Sequence, residues 1–140
     1  IDPADGRVIA GTRGDDGQPR SATQAMARGE LPARAMAGMA TTIGIVATNA
    51  QLGKAQAAKV AALAFLGFAR ALSPPHTAFD GDTLFVLSVG DVPVDLTRLG
   101  LAAADTVAHA IARSVRAATP LPVLPAACQL TDPGAATRES

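Results

Sequence analysis

Thr41-Thr42-Ile43-Gly44-Ile45-Val46-Ala47-Thr48-Asn49-Ala50 is followed closely by Lys54 to Leu72, and these two stretches decide the fold. Within the first, Thr42 to Thr48 is a short β-branched run, the pattern of a buried strand. In the second, Ala57, Val60, Ala64, Gly67 and Ala71 recur at three- and four-residue steps, which predicts one helix. Glycine costs a helix about 1 kcal/mol relative to alanine, so Gly67 on this stripe points to close approach by another element. Phe65, Leu66 and Phe68 make the helix apolar on more than one side. It is expected to pack on its own sheet and on something else, such as a second subunit.

Downstream, Ser73-Pro74-Pro75 ends the helix because proline cannot continue the hydrogen-bond ladder. His76 to Asp82 reads as a loop and Thr83 to Gly90 as a second buried strand. Asp95 is the predicted N-cap of a helix reaching about Ala118. Leu99, Ala103, Val107, Ile111 and Val115 lie on one side of it, with Asp105, His109, Arg113 and Arg116 opposite. Upstream, Arg7 to Gly11 is expected to form a short strand and Gly14-Asp15-Asp16-Gly17 a turn. Ser21 to Met39 reads as a weak helix followed by an irregular linker. After Pro120 the chain is rich in Pro and Ala, and its last ten or so residues are expected to be disordered. The order strand, helix, strand, helix predicts a layered α/β domain with strands inside and helices outside.

Composition excludes several functions. The 140 residues carry 12 Lys+Arg against 12 Asp+Glu, so electrostatics give no reason to expect nucleic-acid or anionic-membrane binding. Trp and Tyr are absent, which removes the usual stacking platforms for bases. The single cysteine, Cys128, cannot form an internal disulfide, and in its Pro/Ala surroundings it is expected to be inert. No Cys/His cluster offers a metal site, and no cofactor is expected. The apolar run Val60 to Ala69 is well short of the ~20 residues of a membrane span. No signal segment opens the chain, and the expected setting is cytoplasmic. The first residue is Ile1 rather than Met, so the chain is expected to be a piece of a longer protein. Arg13-Gly14-Asp15 spells an adhesion-type tripeptide, read here as chance within a Gly/Asp-rich turn.

Two local features could carry chemistry: the paired hydroxyls of Thr41-Thr42 before the first strand, and the paired carboxylates of Asp80-Gly81-Asp82 before the second. Each alone reads as an ordinary strand start or a solvated turn. Their occurrence at the entrances of two successive strands gives them weight, because neighbouring strands would bring them together. His76 reads as a loop-fixing hydrogen-bonder, His109 as a solvated helix residue, and Asn49 as a weak candidate on the substrate side.

The segment Ala40 to Ala50, continued by Leu52 and Lys54-Ala55-Gln56, resembles the self-cleavage segment of the DmpA-type peptidases. That family includes D-aminopeptidases, β-peptidyl aminopeptidases and nylon-oligomer endohydrolases. Pro75-His76-Thr77-Ala78-Phe79-Asp80-Gly81-Asp82-Thr83 is similar to its second signature, and the threonine-nucleophile, nylon-hydrolase-like branch is the nearest match. The resemblance covers roughly Gly6 to Val115. It implies an N-terminal nucleophile hydrolase and about half of an αββα sandwich. Residues 1–40 would be the end of a large-subunit segment plus linker, 41–119 the nucleophile-bearing small subunit, and 120–140 a tail.

Carried onto these residues, the resemblance places self-cleavage between Ala40 and Thr41 and makes Thr41 the nucleophile. Asp80 and Asp82, 39 and 41 positions later, fall where the family has its paired active-site residues. Thr42 competes with Thr41 on residue type, and only the family register favours Thr41. A threonine hydroxyl needs a base, and the α-amine freed by cleavage titrates close to neutral pH beside it. Ionised carboxylates would raise that amine's proton affinity; a protonated one would donate a hydrogen bond instead. Implied partners are a peptide or amide-oligomer substrate, the upstream large-subunit segment and further copies of the chain in a homo-oligomer. Two other readings stand beside this one. One is an acyltransferase of the ornithine acetyltransferase type using the same nucleophile. The other is a non-catalytic structural fragment that associates through the apolar helix Lys54–Leu72.

Overall fold

A computed structural model describes residues 1–30 and 41–130. Ala40, the residue before the expected cut, and the last ten residues of the tail lie outside the described residues. The elements run α1 (Ala22–Ala27), β1 (Ile43–Ala50), α2 (Lys54–Ala64), α3 (Leu66–Ala71), β2 (Thr83–Val92), α4 (Leu96–Ala117) and α5 (Ala127–Leu130). β1 and β2 pair in parallel, with Ile43 opposite Thr83, Ile45 opposite Phe85 and Ala47 opposite Leu87. A parallel pair needs a long crossover, which α2 and α3 supply. The chain is therefore a mixed α/β structure with a small parallel sheet and helices.

The helices cover one face of that sheet. Val46 of β1, Val60 and Ala64 of α2, Phe68 of α3, and Ala103 and Val107 of α4 form the buried core. Leu84 and Val86 of β2 pack against it. Asp95 caps α4 as expected, its carboxylate accepting the Arg98 N–H at 2.8 Å. Gly67 is where α3 meets α4: a Cβ there would lie 2.4 Å from the Ala104 carbonyl oxygen. Only hydrogen fits between those backbones.

Several expectations require correction. Lys54 to Leu72 is not one helix; it breaks at Phe65, where the Phe68 N–H bonds the Phe65 carbonyl at 3.0 Å in a tightened turn. The break sets α3 against α4 and brings Phe65 and Phe68 together, their ring centroids 4.7 Å apart. The second apolar side of this helical pair is thus taken by α4, although Leu66 stays exposed. Neither strand is buried on both faces. Ile43, Ile45, Phe85, Leu87 and Val89 all face outward, Ile45 and Val89 each 70% exposed. A β-branched run satisfies strand propensity whether or not its second face is covered within the chain. Arg7 to Gly11 forms no strand; among the described residues its one backbone-to-backbone hydrogen bond is local, from the Asp2 N–H to the Arg7 carbonyl at 2.8 Å. The turn at Gly14–Gly17 is present, closed by Gly17 N–H to the Gly14 carbonyl at 3.0 Å. Within the expected tail, Ala127–Leu130 makes the short helix α5, and Cys128 on it is exposed.

Two ion pairs tie the peripheral pieces to α4. Arg70 donates to Asp105 at 2.5 Å, and Arg116 pairs with Asp2 of the N-terminal segment. The hydrogen bond from Arg70 holds the Asp105 carboxyl below the usual carboxylate range. The Ala4 N–H, followed by Arg116, does the same for Asp2. A lowered folded-state value adds stability above the ordinary carboxylate range, and this is lost as pH falls through the folded value. Asp2→Asn should therefore destabilise the protein at pH 7, by an amount that shrinks as the pH falls below the ordinary carboxylate range. Urea unfolding at a series of pH values checks this.

Candidate active site

Parallel pairing places the N-terminal ends of β1 and β2 side by side, and the residues preceding each strand meet there. The ladder continues past the strands, with Thr83 N–H donating to the Thr42 carbonyl at 2.9 Å. One step further out the partner is a side chain. Asp82 Oδ1 accepts the Thr42 N–H at 2.8 Å, and Oδ2 accepts the His76 N–H at 3.0 Å. Both oxygens of this half-buried carboxylate hold backbone, one on each side of the sheet entrance. Asp80 Oδ2 accepts the Thr77 N–H at 2.7 Å, closing the loop that leads into β2.

Thr41 sits beside Gly81, between the two acids in sequence. A Cβ on Gly81 would lie 3.0 Å from Thr41 Oγ1, so the missing side chain leaves room for the hydroxyl. Among the described residues, the Thr41 hydroxyl and Asp80 Oδ1 make no hydrogen bond. Thr41, Thr42, Thr77, Asp80 and Asp82 line one open cavity of about 680 Å³. Gln24 and Met26 of α1 and the end of α3 at Ala71 form other parts of its wall.

The structure thus brings Thr41, Asp80 and Asp82 together. Asn49 is elsewhere: it lies near the opposite end of β1, about 26 Å away at the rise of an extended strand, and does not line the cavity. Its carbonyl instead meets Gly90, where a Cβ would come within 2.1 Å, beside the register shift between Thr48 and Ala50. His109 is exposed on α4, with Nδ1 2.8 Å from the Asp105 carbonyl oxygen. Sequence reasoning missed the part played by Gly81, for which the available signal was its position between two acids. His76 does fix its loop through a hydrogen bond, as expected, but the donor is its backbone amide rather than its ring.

Among the described residues, no three His, Cys, Asp or Glu side chains gather to hold a metal ion. No helix among them is long and apolar enough to cross a membrane.

Residues 9–125 match the pattern of peptidase family S58. The chain belongs to that family. The S58 match spans both strands, the loop between α3 and β2, and α4. Relatives include an uncharacterised aminopeptidase of Mycobacterium leprae, 42% identical over 110 residues, which are 68% of this chain and 30% of the relative. Uncharacterised aminopeptidases of Mycobacterium bovis and Mycobacterium tuberculosis are each 37% identical over 100 residues, 61% of this chain and 29% of theirs. The chain therefore spans less than a third of the length of the curated S58 relatives it matches.

Proposed function

We propose that this S58 chain carries the nucleophile of a self-processing amide hydrolase, with Thr41 exposed as a new N-terminus by cleavage after Ala40. The observation that carries this reading is the Thr41 hydroxyl beside Asp80-Gly81-Asp82 in one cavity. In the first step the hydroxyl oxygen attacks the substrate carbonyl while its proton passes to the Thr41 α-amine. The tetrahedral intermediate collapses, the amine product leaves with that proton, and an ester to Thr41 remains. Water, deprotonated by the same α-amine, then hydrolyses the ester and restores the hydroxyl. Asp82 fixes the start of β1, and Asp80, with one oxygen free of backbone, orients the amine.

A peptidase-type activity agrees with the family and with the aminopeptidase names of the relatives. On the resemblance of residues 40–56 and 75–83 to the nylon-oligomer branch, the substrate is an oligoamide or a peptide. Residues 1–40 would end the large subunit and residues 41–119 form the small one. The outward apolar face of β1 and β2 is what half of an αββα sandwich would present to a second sheet. That sheet, with further pocket residues, would come from the upstream segment, and assembled copies would form a homo-oligomer.

Expression of the full-length gene and N-terminal sequencing of the smaller product tests the proposal. A product starting at Thr41 is expected. A different start, or hydrolysis by a protein whose mass shows it uncut, would refute it.

A further inference from the structure

His76 is the one non-glycine residue with a positive φ, 53°, among the described residues. Most side chains disfavour this left-handed region; histidine enters it more readily than most, and local contacts can hold it there. Two contacts do. The His76 N–H donates to Asp82 Oδ2 at 3.0 Å, and its imidazole meets Phe65 edge-on with ring centroids 5.2 Å apart. Phe65 packs in turn on Phe68, which is 1% exposed at the centre of the core. A continuous line of contact therefore runs from the core through Phe65 and His76 to Asp82, and from Asp82 to the Thr42 amide next to Thr41.

A carboxylate bound through one oxygen still swings about its own side-chain bonds; a second donor on the other oxygen fixes its plane. With an extended backbone at residue 76, the N–H would turn away from Asp82. We propose that His76 is a positioning residue: its left-handed backbone, pinned by the Phe65 ring, aims the amide that orients Asp82 beside Thr41. This depends on the reading of Thr41 as nucleophile.

The test compares His76→Gly, which adopts the left-handed region freely, with His76→Val, which resists it. In the full-length protein, His76→Val should lower kcat for amide hydrolysis by about tenfold or more with KM little changed, whereas His76→Gly should stay within about threefold of the parent. Should His76→Val fail to fold, His76→Ala provides the same comparison with a milder backbone penalty. Equal kcat for the glycine variant and the β-branched or alanine variant would overturn the proposal, as would a change confined to KM. Thr41→Ala serves as the control. If it remains active, the nucleophile reading itself is wrong; if it is inactive while the position-76 variants match, only the role of His76 falls.

Discussion

Thr41→Ala in the full-length protein should leave the chain uncut and lower amide hydrolysis by at least about a thousandfold. Alanine keeps the backbone and removes only the attacking oxygen and a methyl group. The neighbouring hydroxyl offers no replacement. Thr42 is half-buried, its N–H is held by Asp82 and its carbonyl by Thr83. Moving Thr42 into the place of Thr41 would slip β1 by one residue and turn Val46 out of the core. Thr41→Ser retains the oxygen and should retain cleavage at the same bond. Mass spectrometry of the products and turnover of a peptide amide measure both effects, and persistent hydrolysis by Thr41→Ala would count decisively against the mechanism.

Asp82→Ala should slow self-cleavage and hydrolysis by at least about a hundredfold. Two backbone amides lose their acceptor at once, those of Thr42 and His76. Each hydrogen bond to a charged group is worth about 1.5–3 kcal/mol, and each 1.4 kcal/mol is tenfold in an equilibrium. The entrance of β1 and the loop before β2 would separate, while the core around Phe68 and Val60 lies on other residues and should persist. Asp82→Asn keeps one acceptor oxygen and should fall between the parent and the alanine variant. Initial rates, with circular dichroism to verify the fold, distinguish these outcomes; a parental rate in Asp82→Ala would remove the carboxylate from the mechanism.

Much of the scaffold could be read from local pattern because the responsible forces act over a few residues. The Asp95 cap and the length of α4 follow from a side chain that reaches its own helix. The Gly67 contact was foreseeable because glycine on an apolar helical stripe has little other use, and the Ala104 carbonyl fills the space. The break at Phe65 was not foreseeable. At the break Phe65 meets Phe68 and the ring of His76, and the contact with His76 is one that no spacing within the helix encodes.

For the candidate site, residue types and their order pointed to Thr41, Asp80 and Asp82, with the family register choosing Thr41 over Thr42. Asn49 was a different matter: an eight-residue strand separates its ends by more than a side chain can bridge, so nearness in sequence to Thr41 meant little.

By itself, the sequence determined the two strands with a helical crossover between them and a helix after them, the cap of α4, the close contact at Gly67 and the residue types available for chemistry. These depend on backbone geometry and side-chain periodicity within a single element. Only the tertiary structure decided that β1 and β2 run parallel with Ile43 opposite Thr83, which brings the Thr41 and Asp82 segments together. It alone showed that one sheet face is left uncovered by the described residues and that His76 reaches Asp82 through its backbone. Register, burial and amide direction arise from contacts between residues distant in the chain, and their free energies exist only once those elements have packed.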